Sequence, residues 1–273
     1  MLAELDGFDM HYECVGAGRP VLMLHGGYLD HRHMMEEMEP AFADHPGWLR
    51  LYPDLPGHGR TGVPEGMVNH DQILAAVLAF VDAVIPGQRF AVSGMSVGGH
   101  LVRGLVCNCP ERLLGAMFNG TPFITNYADR TVPAAVVLRE EAGFVDAAGP
   151  GLGVLRFLQP VHDNAIAAWY QRNMAPARAL LQEDFALKSW EPEHYAYSFD
   201  LAPPEPFTGP SLILCGRQDT VAGYRDAWPA IEDYPRASFA VLDWGGHLIA
   251  PARPELFRVL VADWLERMAA ETD

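Results

Sequence analysis

Residues 89–100 constrain this chain more than any other stretch. Phe90, Ala91 and Val92 form a short apolar run that reads as a buried strand. Gly94-Met95-Ser96-Val97-Gly98 follows, and residues 100–106 are apolar and helix-compatible. A strand that turns at once into a helix brings the two backbones close together, and a β-carbon at Gly94 or Gly98 would clash there. The serine at the apex is held in a strained conformation that lifts its hydroxyl above the strand end. This is the context in which a serine serves as a nucleophile. A Gly-x-Ser-x-Gly match by itself is common in loops, so its weight depends on partners elsewhere in the chain.

The flanking chain alternates strand and helix. Residues 2–16 read as a hairpin around Asp6-Gly7. Val21-Leu22-Met23-Leu24 is a continuous apolar run, the mark of a strand covered on both faces. Residues 28–42 carry helical spacing, 48–52 a strand, 72–85 a helix and 114–118 a strand. The alternation then stops. Helix-like segments are predicted at 132–147, 154–158, 164–172 and 177–188, and Pro203-Pro204-Glu205-Pro206 closes the region. Strands at 211–215 and 238–242 and helices at 224–231 and 255–270 complete the pattern. The predicted fold is α/β, a mostly parallel doubly wound sheet. Its core comprises residues 1–122 and 207–273. Residues 123–206 form an inserted helical cap over the carboxyl edge, where open α/β sheets bind ligands.

Serine is a poor nucleophile at neutral pH. It needs a base to take its proton, and that base needs an acid to fix its tautomer. The strand ends supply candidates in the order Ser96, Asp219, His247. Asp219 follows a buried strand and Gly216. His247 follows the last strand after Gly245-Gly246. Asp226, inside a predicted helix, and Asp243, close to its strand end, are the rival acids. Charge on a reacting carbonyl oxygen needs fixed donors, and backbone N–H groups suit that role. Val97 would supply one donor and Gly27 of His25-Gly26-Gly27 the other, with Tyr28 as the alternative. His25 reads as a structural residue that holds this loop.

These motifs, together with Asp54-Leu55-Pro56-Gly57-His58-Gly59-Arg60-Thr61 and Gly216-Arg217-Gln218-Asp219, give the chain a close resemblance to the α/β-hydrolase fold family over nearly its whole length. The resemblance implies Ser96 as nucleophile, His247 as base, Asp219 as acid and a cap that shapes the pocket. It also implies a structural role for the Asp54 loop. Serine at position 96 separates the chain from the epoxide hydrolases and haloalkane dehalogenases of that family, which carry aspartate there. His100 departs from the small residue usual one turn past the elbow, and is placed either buried behind the site or against substrate.

The inserted region concentrates aromatic residues: Trp169, Tyr170, Trp190, Tyr195, Tyr197 and Phe199. Some should face the cavity, and the substrate-pocket expectation falls on Tyr28, Met95, Trp169 and Tyr195. His31-Arg32-His33 reads as solvated surface, because i,i+2 side chains on a helix diverge. No dinucleotide or phosphate-loop motif is present, so no cofactor and no metal are expected.

Composition narrows the partners. A net charge of −16 argues against nucleic acid and anionic membrane surfaces. No apolar run approaches the ~20 residues of a membrane span. Cys14, Cys107, Cys109 and Cys215 sit in apolar surroundings and read as buried free thiols. With no signal-peptide pattern at the N-terminus, a cytoplasmic location is expected. The expected partner is a small-molecule substrate, a largely apolar ester or lactone. The same triad would also serve C–C bond or N-terminal amide hydrolysis, for which Glu140, Glu141, Glu191 and Glu193 are the available cap acids. A non-catalytic ligand receptor is the reading from another class. Composition and motifs leave the oligomeric state open.

Overall fold

The apolar runs become one eight-stranded sheet in a computed structural model, which describes residues 1–271. β1 (Leu2–Leu5) and β2 (Phe8–Gly16) form the predicted hairpin. β2 pairs antiparallel with β4 (Trp48–Pro53), and all further pairings in this sheet are parallel. β3 is Arg19–Leu24, β5 Phe90–Met95 and β6 Leu113–Asn119. A separate two-stranded sheet joins β7 (Arg139–Glu140) to β8 (Val161–His162). β9 (Ser211–Gly216) and β10 (Ala237–Leu242) end the main sheet, whose order is β1-β2-β4-β3-β5-β6-β9-β10.

Helices cover both faces, so the central strands need apolar residues at every position. In β3, Val21 and Met23 face one core and Leu22 and Leu24 the other, all fully buried. The first core packs against α1 (His31–Phe42) and the C-terminal helix. The second packs against α2 (His70–Val84) and α3 (Val97–Asn108). Burying one such Leu or Val contributes roughly 1.5–3 kcal/mol. Asn69 caps α2 with a reciprocal Gln72 bond, which starts this helix at His70.

The segment between β6 and β9 holds six short helices: α4 (Phe144–Ala148), α5 (Leu152–Leu158), α6 (Asn164–Arg172), α7 (Met174–Arg178), α8 (Glu183–Ser189) and α9 (Pro192–Tyr195). The predicted boundaries at 122/123 and 206/207 both fall in irregular chain. After β9 come α10 (Tyr224–Ala227), α11 (Ile249–Ala252) and α12 (Pro254–Ala269). Residues 272 and 273, the end of the predicted core segment, lie outside the described residues. No helix among the described residues is long and apolar enough to cross a membrane.

Three helical expectations are corrected. Residues 132–138 are not helical: the Leu138 amide donates to the Pro160 carbonyl and the Glu141 amide to that of His162, so backbone pairing replaces the helix. Gly143, at φ 86°, delays helix formation until Phe144. The helix predicted at 177–188 breaks, because the Gln182 amide donates 2.9 Å to the Gly57 carbonyl across the fold. The helix at 224–231 tightens into a 3₁₀ turn at Trp228–Asp233, where Pro229 lacks the amide that would continue the ladder.

Two further expectations fail on burial. His31 and His33 are buried, not solvated. Asp30 caps α1, turning both rings inward, and their Nδ1 atoms bond Asp54 and the Asp30 carbonyl. Of the four unbridged thiols, Cys109 and Cys215 are buried, while Cys14 and Cys107 are only half-buried.

Candidate active site

Ser96 lies between β5 and α3 with φ 52° and ψ −112°, a conformation that side chains rarely adopt. Close packing holds it there. A β-carbon at Gly94 would overlap the Gly98 backbone, and one at Gly98 would overlap the Leu24 carbonyl of β3. The Ser96 amide donates 2.9 Å to the Asn119 carbonyl at the end of β6. The strained turn is therefore clamped by both neighbouring strands.

The three residues named from strand ends converge. The Ser96 hydroxyl is 2.9 Å from His247 Nε2. His247 Nδ1 donates to both Asp219 oxygens, at 3.1 and 3.0 Å. This fixes the tautomer that leaves Nε2 free to accept the serine proton. Asp219 is fully buried and also accepts from the Val221 and Ala222 amides, at 2.7 and 2.9 Å. The rival acids are engaged elsewhere. Asp226 accepts from the Thr131 amide, and Asp243 from Gln218 on the surface.

Gly27 and Val97 line the same cavity as Ser96 and His247. Val97 is the first residue of α3, so its amide has no earlier turn to donate into. The loop bearing Gly27 is fixed by His25. Its Nδ1 donates 2.8 Å to the Gly26 carbonyl, and its Nε2 accepts from the Leu55 amide at 2.9 Å. The second bond requires neutral imidazole, and burial pushes the His25 pKa down to about 4. Tyr28, at φ 59°, turns the chain from this loop toward α1.

Behind the loop stands Asp54, fully buried, with one oxygen on His11 Nδ1 and the other on His31 Nδ1, each at 2.8 Å. The His31 and Arg60 amides donate to it at 3.0 Å. Burial raises this carboxyl's pKa, but the His31 bond and the amide donors outweigh it and hold it below the carboxylate range. His11, His31 and Asp54 are also close enough to share a metal ion. However, both Nδ1 atoms are committed to the carboxylate, and Arg60 stands 3.3 Å from His11 Nε2. The cluster is a hydrogen-bonded brace for the loops after β3 and β4.

The cavity is about 360 Å³. Tyr28, Met95 and Tyr195 line it, as the sequence suggested. Trp169 does not: it is 2% exposed and packs inside the inserted segment with Leu155 and Ile166. Trp190 takes the wall position instead, its ring 4.8 Å from that of Tyr28 and against Gly27. Leu29, Val154, Phe157, Met174 and Leu248 add apolar surface, and Arg130 adds a cation. None of Glu140, Glu141, Glu191 or Glu193 lines the cavity. His100 lies behind the wall. It is fully buried, bonds the Tyr195 carbonyl at 2.9 Å, and stacks on Tyr195 and Tyr197 at 4.2 and 4.6 Å.

Sequence reasoning missed Gln159 as well as Trp190 and Arg130. Gln159 is 2% exposed. Its side chain donates 2.7 Å to the Leu248 carbonyl and accepts from the Gly246 amide, bracketing His247. The His247 amide itself donates 2.8 Å to the Leu158 carbonyl. A glutamine after a short helix carries no local signal of such a role.

A mostly parallel sheet with a serine elbow after β5 and carboxylate and imidazole after its last two strands defines the α/β-hydrolase class. The family described as "Alpha/beta hydrolase family" matches residues 21–260, and the chain belongs to it. It is 28% identical over 160 residues to an "AB hydrolase superfamily protein" of Gibberella zeae, covering 55% of this chain and 56% of that protein. The chain thus spans just over half the length of that relative. It is 26% identical over 270 residues to a "Putative non-heme haloperoxidase" of Mycobacterium phage D29, covering 94% and 91%. Among solved structures, an alpha/beta superfamily hydrolase from Oenococcus oeni PSU-1 superposes with TM-score 0.90 at 20% identity, covering 99% and 100%. The meta-cleavage product hydrolase from Pseudomonas fluorescens IP01 superposes with TM-score 0.71 at 20% identity, covering 97% of each chain. At these identities the superpositions speak to the fold alone.

Proposed function

We propose that this chain is a serine hydrolase that cleaves a small, largely apolar carboxylic ester or lactone. The observation that carries the reading is the relay from Ser96 Oγ through His247 to buried Asp219, at 2.9 Å and about 3 Å, opening on an apolar cavity. Ser96 passes its proton to His247 Nε2 as its oxygen bonds the substrate carbonyl carbon. The Gly27 and Val97 amides receive the charge that develops on the carbonyl oxygen. His247 then protonates the departing alkoxide, leaving Ser96 acylated. Water, losing a proton to His247, attacks the acyl carbon, and that proton returns to Ser96 as the acid is released. Residues 123–206 act as a cap that sets which acyl and alcohol groups fit. The cavity's lack of a carboxylate weighs against N-terminal amide cleavage, which needs an acid for the substrate ammonium.

A fluorophosphonate probe tests the nucleophile: it labels native protein at Ser96 and leaves Ser96→Ala unlabelled. Labelling of the variant, or none of the native protein, would refute the reading. A turnover screen of graded p-nitrophenyl esters beside lactones and a vinylogous diketone then separates ester from C–C chemistry. Turnover of the diketone alone would shift the reading to C–C hydrolysis.

A further inference from the structure

Arg130 is out of place in an apolar pocket. It lies in the segment between β6 and β7, lines the cavity that holds Ser96 and His247, and is half-buried. Its Nε donates 2.8 Å to the Ile124 carbonyl, one terminal nitrogen 3.0 Å to that of Val221, and the other 2.8 Å to that of Thr125. A guanidinium has five N–H groups. Three are used on neutral carbonyls, which leaves one on each terminal nitrogen.

The charge meets the Tyr127 ring, whose centroid is 5.5 Å from the guanidinium carbon, but no carboxylate. The chain has 35 acidic residues against 19 basic ones, yet none of its described carboxylates forms an ion pair with Arg130. Asp219 and Asp226 contribute to its field from a distance, and both are committed, to His247 and to the Thr131 amide. Arg32, Arg50, Arg139, Arg156 and Arg172, by contrast, each pair with an acid.

A structural role needs the donors and not the charge, and what sets Arg130 apart from a structural arginine is its place on the cavity wall. Bonds to carbonyls need donors, not a positive charge. Desolvating a cation without a counter-charge costs free energy. Arg103 shows the structural version of the role. It is 9% exposed, donates to the neighbouring Pro122 and Phe123 carbonyls, and does not line the cavity. Arg130 frames the other half of the same loop, but where a ligand can reach it.

We infer that Arg130 is a specificity residue that pairs with a carboxylate borne by the substrate away from the bond to be cleaved. The substrate class is then a carboxylate-bearing ester, such as a monoester of a dicarboxylic acid, with an apolar spacer across the cavity. The free N–H on each terminal nitrogen suits the planar two-oxygen geometry of a carboxylate, and a single unpaired cation suits a single negative charge. This assignment rests on Ser96 as the nucleophile only for the word ester. The charge preference itself is a property of the cavity.

Monoethyl and diethyl adipate differ in one terminal charge and test the inference in two independent ways. In turnover, the wild type prefers the monoester by about tenfold or more in kcat/KM, the scale of a charged hydrogen-bonded pair. Added salt narrows that preference. Arg130→Gln brings the ratio to near one, and Arg130→Lys keeps part of it. In calorimetry, Ser96→Ala binds the monoester more tightly than the diester, and Ser96→Ala/Arg130→Gln loses the difference. A wild-type ratio of one or below, or a ratio unchanged in Arg130→Gln, overturns the inference. The wild-type and salt measurements need no variant, so misfolding of Arg130→Gln cannot shelter it. If neither ester is turned over and the fluorophosphonate probe leaves native Ser96 unlabelled, while Ser96→Ala still discriminates between the esters, the hydrolase reading fails and the charge assignment stands.

Discussion

At the scale of single residues, the three strand-end groups carry separable tasks. Asp219 keeps the His247 proton on Nδ1, and the amides of Val221 and Ala222 keep Asp219 in place. An amide side chain could instead donate to the ring and favour the wrong tautomer. Asp219→Asn should therefore lower kcat on the order of 10⁴-fold while the protein still folds. Asp243→Asn, at a surface bond to Gln218, should leave kcat unchanged. Steady-state kinetics of the two variants with one ester decide the matter, and equal rates would move the acid away from position 219. Residue type and chain order were enough to name Ser96, Asp219 and His247, because each follows a strand whose end is marked by glycine. Trp190 and Trp169 show the opposite case. Both belong to the same aromatic cluster in sequence, and only packing decides which one faces the cavity.

At the scale of elements, the inserted segment does more than enclose the cavity. The C-terminal end of α5 holds the loop after β10: Leu158 and Gln159 bond the backbone at Gly246, His247 and Leu248. The Thr220 hydroxyl donates 2.7 Å to the Phe157 carbonyl, so the loop of Asp219 is tied to the same turn. Gln159→Ala leaves the Gly246 amide and the Leu248 carbonyl without these partners. We expect it to cost about 1–3 kcal/mol of stability and to lower kcat more than it changes KM, since it frees the base without touching the pocket wall. Denaturant unfolding and Michaelis kinetics measure the two effects, and a change confined to KM would contradict this coupling. The sheet and its covering helices were legible because long apolar runs and strong periodicity reflect burial on both faces. The inserted segment was less legible. Its short elements are set by distant partners: Pro160 and His162 for residues 138–141, Gly57 for Gln182, and the buried rings around His100 for Tyr195.

At the scale of the whole molecule, the carboxyl edge of the sheet rests on buried, neutral imidazoles. Burial pushes His25 and His33 down to about 4, and His58 and His70 down to about 3. In the unfolded chain each titrates near 6.5. Between these values the unfolded state binds protons that the folded state does not, so acidification favours unfolding. The contribution is full above about pH 6.5 and is lost as pH falls toward 4 and 3. At about pH 5 the loss reaches at most about 2 kcal/mol per histidine. Asp54 acts in the same direction at lower pH, because its depressed pKa stabilises the fold above the carboxylate range and fails below it. Stability from urea titrations should fall steadily from about pH 7 to 4, and His70→Phe should flatten the slope. A pH-independent midpoint over that range would contradict neutral burial. The sequence by itself determined the sheet, the elbow and the order of Ser96, Asp219 and His247 at the strand ends, because strand burial, a turn with no room for β-carbons and chain order are written locally. Only the tertiary structure decided that His31 and His33 are buried, that Trp190 replaces Trp169 in the wall, that Gln159 braces the loop of His247 and that Arg130 meets the cavity without a counter-charge. Those facts depend on which distant groups arrive at the same place, and local patterns do not encode that.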